Sequence, residues 1–483
     1  MTASTRLGLA TAGSGLLLGV LGNVLMDAGR WGIGLTLWAF VLIAAFWMLR
    51  QRQIGGVSAA ERGLLVGLCV FALCFPWRDS TSLRTLDLLS LFVLLALLAG
   101  HALPVPLAQS GIRRILRGVC LIPFQSLSGA VLLLFRDIPW GTIPRTGWTR
   151  HGLAILRGLA LAVPVLLVFG GLLAAADAVF SHFIGLPFHW DVDALLDNVC
   201  LVILWAWLTT GFLRTSLAVP TPSPALETAA PTPRITLGMI ETGTILGLLN
   251  LLFLGFVAVQ LRYFFGGAAL VQATIGLTYA QYARQGFFEL VAVAILVLPL
   301  LLGLHALQRP DEARAQTLFR GLAGLQILLL FVIMASAVVR MQLYEQEYGL
   351  TELRLYTTAF MGWLAVVFAW FAATVLRGAR PRFALGVLVS AFAAVVVLHG
   401  INPDAAIVRA NVTHAQAGHP FDAAYALGLS ADAVPTLAAV LPMLPPADQA
   451  RVRHGLQDEE QALRHGDWRS WSLSRQLAGD TRQ

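Results

Sequence analysis

Apolar stretches of about twenty residues, each long enough to cross a hydrocarbon core of about 30 Å as a helix, recur along the chain with short polar joints between them. The pattern places spans at 7–26, 31–49, 63–77, 86–103, 158–176, 195–213, 236–261, 287–307, 321–339, 356–376 and 383–400. A further apolar segment, 118–135, is interrupted by Pro123, Gln125, Ser126 and Ser128 and carries arginines on both flanks. It reads as a re-entrant or interfacial piece, which leaves about eleven spans; a full crossing would make about twelve. The first span sets Gly15, Gly19 and Gly22 on neighbouring turns of one face, a stripe that favours close helix contact. Nothing alternates with period two, as a membrane barrel would. The fold class expected is all-α, a polytopic helical membrane protein.

The joints divide the chain. Arginine clusters at 50–62, 113–117, 309–320 and 377–382 mark one side of the bilayer as cytoplasmic. Residues 1–218 form an N-terminal membrane half, and 219–234 (VPTPSPALETAAPTPR) a Pro-rich cytoplasmic linker. Residues 235–400 form a C-terminal membrane half, and 401–483 a soluble helical tail. Counting crossings puts that tail on the extracytoplasmic side of a bacterial inner membrane.

Composition sharpens this reading. Hydrophobic residues make up 57% and charged residues 12% of 483 positions, against about 25% charged in a soluble globular chain. No lysine occurs, so all 33 basic residues are arginine, which excludes a P-loop lysine, a Schiff base or any catalytic lysine. The net charge of +7 is spread over short clusters between spans and is not a nucleic-acid footprint. Cys69, Cys74, Cys120 and Cys200 lie in or beside apolar segments without CxxC spacing, so they read as small apolar residues. Nucleophile-elbow, zincin, Walker and dinucleotide motifs are all missing. No cofactor is expected.

Unusual chemistry concentrates at two polar elbows. In the first, Arg262 and Tyr263 end an apolar run, and Gly276-Leu277-Thr278 opens a segment with Tyr279, Tyr282, Arg284 and Glu289. In the second, Arg340 ends the run, Tyr344, Glu345, Glu347 and Tyr348 follow, and Gly349-Leu350-Thr351 precedes Glu352, Arg354 and Tyr356. A phenylalanine stands eleven residues after the glycine in both, at Phe287 and Phe360. An arginine fork suits a phosphate or carboxylate, so Arg262, Tyr282, Arg284, Glu289, Arg340, Tyr348, Arg354 and Tyr356 are the candidate ligand-binding set. Glu289, on the first turn of a span, needs a partner such as Arg262, Arg284 or Arg340. The bland alternative is an aromatic belt with ion pairs stitching helices together.

Weaker signals lie elsewhere. The joint 177–193 holds His182, His189, Asp191 and Asp193, which could gather a metal but match no standard ligand spacing. Asn402-Pro403-Asp404 reads as a turn with Asp404 capping the next helix. His414 and His419 read as chance neighbours.

At YARQGFFEL, YGLTELRLYTTAFMGWL, INPDAAIVRAN and FDAAYALGLSADAVPTL the chain resembles a family of bacterial integral-membrane proteins known only as a domain of unknown function (4173/4153 type). The resemblance covers about 158–437. It implies a multi-span membrane protein and transfers no activity or catalytic residue. The function expected is binding or transport of a small anion or lipid headgroup through an outer-facing Arg/Tyr/Glu pocket. The alternatives are a membrane enzyme acting on lipid-linked substrates and a scaffold or sensor meeting a protein partner through the linker or tail.

Overall fold

The computed structural model describes residues 3–26, 31–54, 56–100, 112–140, 169, 192–217, 236–275, 287–308, 313–464 and 466–480. Sixteen α-helices and no β-strand occur among the described residues. The bundle begins with α1 (Ala3–Leu25), α2 (Ile33–Ile54), α3 (Ala59–Cys74), α4 (Thr81–Gly100), α5 (Ile112–Leu132) and α6 (Val192–Leu217). It continues with α7 (Met239–Ile275), α8 (Phe287–Leu307), α9 (Ala313–Tyr348), α10 (Glu352–Thr374) and α11 (Pro381–Ile401). Five shorter helices complete the chain: α12 (Pro403–Gln416), α13 (Ala423–Leu427), α14 (Val434–Val440), α15 (Pro446–Arg464) and α16 (Leu473–Asp480).

Among the described residues, ten helices are long and apolar enough to cross a membrane. They expose large side chains such as Leu251, Leu252, Leu296 and Leu328, an apolar surface far beyond what a water-facing protein presents. The protein is therefore an all-α, multi-pass membrane protein. The expected span at 63–77 becomes the 16-residue α3, shorter than a crossing usually needs. Its start is set by a capping box between Ser58 and Glu61, and Glu61 also pairs with Arg50 at 2.8 Å. The expected span at 158–176 and the linker 219–234 lie outside the described residues, apart from Phe169.

The glycine stripe does what its spacing predicts. A Cβ on Gly15, Gly19 or Gly22 would stand 1.8 Å from Thr210 Oγ1, 2.6 Å from Ala206 Cβ and 2.8 Å from Trp205 Cγ. Helix α1 thus lies backbone to backbone along α6. Segment 118–135 forms a continuous helix through Pro123, closed by a π-helical turn at Leu133–Asp137. It contains no chain reversal, and by length and composition it qualifies as a span. It packs against both neighbours: Ile122 abuts Gly100 at the end of α4, Gly129 lies against Gly211 of α6, and Asp137 pairs with Arg214 near the end of α6.

Two apolar cores run through the bundle. One is built from α7–α10 and the start of α11, around Phe319, Phe368 and Phe371. The other is built from α1–α4 and α6, around Phe46, Phe71 and Phe75, and takes Leu388 and Phe392 of α11 against it. Helix α11 therefore touches both. A third core, with Val408, Val412, Leu437 and Val452, holds α12–α15 together.

The elbows are less loop-like than their polarity suggests. Helix α9 runs 36 residues and continues through Arg340 to Tyr348, about 54 Å at 1.5 Å per residue, well beyond a hydrocarbon core. Helix α7 runs 37 residues and continues through Arg262. Helix α9 stops immediately before its Gly-Leu-Thr, while the first Gly-Leu-Thr lies outside the described residues. Gly349 takes φ +74°, the left-handed residue that ends a helix cheaply only as glycine.

Candidate functional site

One end of the bundle carries the C-terminal helices, and polar chemistry gathers there because several chain reversals meet. Arg469 Nη1 donates to Val24 O at the end of α1, and the Ile33 amide at the start of α2 donates to Trp471 O. The Leu473 amide donates to Pro76 O in the α3–α4 turn. Asn411 of α12 exchanges hydrogen bonds with the Leu350 backbone at 2.6 and 2.9 Å, and His414 Nε2 lies 2.9 Å from Gln346 O. The second elbow is thus clamped by the C-terminal helices. His419, read as a chance neighbour of His414, stacks on it with ring centroids 4.0 Å apart.

Asp432 is the hub. Only 3% exposed, it accepts from the backbone amides of Asp79 and Ser80 at 2.8 Å each, from Arg78 Nη1 at 3.5 Å and from the Ser474 hydroxyl. The two amides stand just before α4, where a helix start favours a negative charge. Arg78 also donates from Nε to His399 O at 3.0 Å, so one guanidinium ties the hub to the end of α11. Beside it, Asp79 holds Arg84 at 2.5 Å and Arg475 at 2.9 Å. A carboxylate removed from water needs such a shell of donors.

Next to the hub lies a group whose hydrogen bonds are incomplete. Asn402, at φ +54°, caps α12 by accepting from the Ala405 amide. Asp404, expected to be that cap, is instead buried and accepts from the Ser430 amide at 3.2 Å and the Ser430 hydroxyl at 2.5 Å. Burial, then the neighbouring charges of Glu352 and Asp432, push the Asp404 carboxyl up to about 6. Its Oδ1 finds no donor among the described residues, and neither the Ser80 nor the Tyr356 hydroxyl closes a well-oriented hydrogen bond there. Tyr356 faces Ser80 and lies near Asp404 and Glu352. Glu352 accepts from Ser82 Oγ at 3.1 Å, and the Tyr425 hydroxyl accepts the Glu352 amide at 2.8 Å.

Beneath these groups, Cys74 at the end of α3, Asp87 on α4 and His399 on α11 bring their ligand atoms within 4.8 Å of one another. All three are buried. His399 Nε2 lies 3.1 Å from Asp87 Oδ2, and its Nδ1 lies 2.9 Å from Val395 O. In sequence Cys74 reads as a small apolar residue, and Asp87 and His399 pass unmarked inside the expected spans 86–103 and 383–400. The available signal was an acid and an imidazole each set inside an apolar run, since ionisable groups at such positions are functional by default.

The expected ligand set is dispersed. Arg354 lies over the Tyr344 ring at 4.1 Å and donates to the carbonyls of Tyr348 and Gly349, so its fork closes the end of α9. Tyr348 is exposed and packs edge-on against Tyr344. Tyr356, on the next turn of α10, points instead to Ser80 and Asp404. Arg340 is half-buried on α9. Glu289 is exposed on the first turn of α8 and makes no ion pair with a described residue. Arg262 lies on α7, with the side chain outside the description, and Tyr282 and Arg284 are outside it altogether. Of the metal candidates, His182, His189 and Asp191 are likewise outside it, and Asp193 is described only as backbone in the first turn of α6. Asp432, Ser430 and Ser474 escaped sequence reading.

No curated protein and no solved structure matches the chain. A family profile matches residues 65–440, which extends the resemblance seen in the sequence from 158 back to α3. That span takes in both sides of the junction, from the Asp79–Ser80 turn to Asp432, and the chain belongs to the family described as a domain of unknown function (DUF4153).

Proposed function

We propose that this protein is a binding component of a bacterial inner membrane that receives a phosphate-bearing lipid headgroup or a small anion on its outward end. Orientation follows from arginine: Arg50, Arg52, Arg62, Arg214, Arg320, Arg377 and Arg382 cluster at bundle ends away from the C-terminal helices, and positive residues stay cytoplasmic. The elbow residues Arg262, Tyr282, Arg284, Glu289, Arg340, Tyr348, Arg354 and Tyr356 then belong to the outward side.

The observation that carries the reading is the trio Ser80, Tyr356 and Asp404, whose buried side-chain oxygens lie beside one another with no well-oriented hydrogen bond for Ser80 Oγ, Tyr356 Oη or Asp404 Oδ1 among the described residues. Buried polar atoms are normally satisfied, so such a group calls for a missing partner. Its chemistry narrows the ligand. Asp404 and Glu352 repel a bare anion, while a phosphate-bearing headgroup with hydroxyl or ammonium donors can satisfy them. The ligand is one that carries both kinds of group.

The test is native mass spectrometry of the full chain after exchange into phosphatidylethanolamine, phosphatidylglycerol or inorganic phosphate, comparing wild type with Tyr356→Phe and Asp404→Asn. A lipid retained by wild type and lost in both variants supports the reading, and the retained headgroup gives its class. Retention of phosphate alone overturns the headgroup assignment at Asp404 and Glu352. Equal retention in all three proteins, or none in any, overturns it.

A further inference from the structure

We infer that Cys74, Asp87 and His399 form a binding site for a divalent, thiol-seeking metal ion of the zinc type. The argument starts from the histidine. A carbonyl oxygen can only accept, so the ring nitrogen 2.9 Å from Val395 O carries the proton, and Nδ1 is the donor. In a neutral imidazole the other nitrogen then has only a lone pair. That lone pair meets Asp87 Oδ2 at 3.1 Å, so two acceptors face each other in a buried place. Something positive belongs between them: a second proton or a cation.

Three features favour the cation. First, a ring N–H fixed on a backbone carbonyl is the usual way a protein orients a metal-binding imidazole and keeps its other nitrogen free. Second, the ligand atoms are already gathered: the 3.1 Å between His399 Nε2 and Asp87 Oδ2 need open only by a few tenths of an ångström to reach about 3.3–3.5 Å, the separation of two ligands of one tetrahedral ion. The Cys74 sulfur lies within 4.8 Å of both. Third, Asp87 is fully buried, yet its other oxygen, Oδ1, meets no donor among the described residues. A metal that draws charge from the carboxylate relieves that oxygen.

Charge balance agrees. A thiolate, a carboxylate and a neutral imidazole sum to two negative charges, which one divalent ion cancels in a setting where any residual charge is costly. The donor set of one sulfur, one nitrogen and one oxygen matches zinc and disfavours magnesium or calcium, which take oxygen ligands. Three protein ligands leave a fourth position, for Asp87 Oδ1 or a water.

The ligands come from α3, α4 and α11, so the ion would pin the core of α1–α4 and α6 to the helix that leads into the C-terminal segment. Arg78 carries the connection further, from His399 O to Asp432.

The experiment measures metal content of the full chain, purified in detergent without chelator, incubated with zinc sulfate and desalted. Wild type and Cys69→Ser, a control one turn earlier on α3, are expected to hold about one zinc per chain, and Cys74→Ala, Asp87→Asn and His399→Gln less than about a tenth of that. Because a variant could lose metal by misfolding, the wild-type protein is also loaded with cobalt(II). A thiolate-to-cobalt charge-transfer band with tetrahedral ligand-field absorption is expected, and the band must survive in Cys69→Ser. Wild-type protein that holds no zinc and shows no cobalt–thiolate band overturns the inference and makes the group a His–Asp ion pair. So does zinc that stays unchanged in all three ligand variants. Neither result bears on lipid retention at Tyr356 and Asp404, so the two readings fail separately.

Discussion

Two seams join parts of this chain that are far apart in sequence, and they use opposite chemistry. Along the first, α1 meets α6 through Gly15, Gly19 and Gly22, with Thr209 Oγ1 reaching Gly15 O at 3.2 Å. The contact is close because side chains are missing, and no charge takes part among these residues. Along the second, the α3–α4 turn meets the C-terminal helices through Asp432, Arg78, Asp79 and Ser474. Apolar surface there is secondary, and buried donors and acceptors set the geometry. The first seam lies within the lipid-facing bundle, where there is no hydrophobic force between helices and shape must serve. The second lies at the bundle end that carries the C-terminal helices, and a network of buried donors and acceptors centred on Asp432 makes it specific. A shape seam tolerates any change that keeps the surfaces apart by the same distance. A polar seam tolerates almost none.

The sharpest way to break the contrast is at the hub. Asp432→Ala strands two buried amides and the Arg78 guanidinium, and removing one partner of a buried charged network costs about 3–5 kcal/mol. Hydrogen exchange should rise across α12–α16 and the 76–80 turn while the α1–α6 seam stays protected. Exchange rising equally in both seams would show that they are one cooperative unit. The next effect in size concerns pH. The folded-state carboxyl of Asp404 is raised to about 6, so the folded protein binds this proton more tightly than the unfolded chain does. Its contribution is fully present below the ordinary carboxylate range and is lost as pH rises through about 6, an effect of about 2–3 kcal/mol. Thermal unfolding followed at the C-terminal helices should weaken from pH 4 to 7 in wild type, and Asp404→Asn should flatten that slope. An unchanged slope in the variant would assign the pH response to other groups.

These seams also differ in how far the sequence reveals them. A helix in a membrane must be apolar for about twenty residues, so the bundle announces itself, and a glycine every three or four positions announces a close contact on one face. The glycine of the second Gly-Leu-Thr likewise sits at a real helix end, because the positive φ found at Gly349 suits glycine better than residues with a side chain. The hub gives no such sign. Asp432 and its partners Asp79 and Ser80 are separated by more than three hundred residues, and each looks alone like an ordinary turn residue. Asp404 shows the same limit: it follows Asn402-Pro403 as a cap should, yet Asn402 takes that task and Asp404 turns inward. Arg354 and Tyr356, grouped in one pocket by their shared elbow, sit two positions apart on a helix and so face different neighbours.

Two smaller predictions sharpen the comparison from the side of shape. In Gly19→Leu, a Cβ would stand 2.6 Å from Ala206 Cβ and 2.7 Å from Val202 O, and overpacking of this kind costs about 1–3 kcal/mol. The melting temperature should fall, with exchange rising in α1 and α6 first and the hub unaffected. Arg354→Ala should cost least. It removes a cation–π contact with Tyr344 at 4.1 Å and the donors that close the end of α9. A partly exposed contact of that kind is worth about 0.5–1 kcal/mol. Because Asn411 and His414 hold the same elbow from the other side, the backbone at 346–350 should stay protected. If it instead exchanged freely, Arg354 rather than the C-terminal helices would be the clamp, and the polar seam would begin inside the bundle.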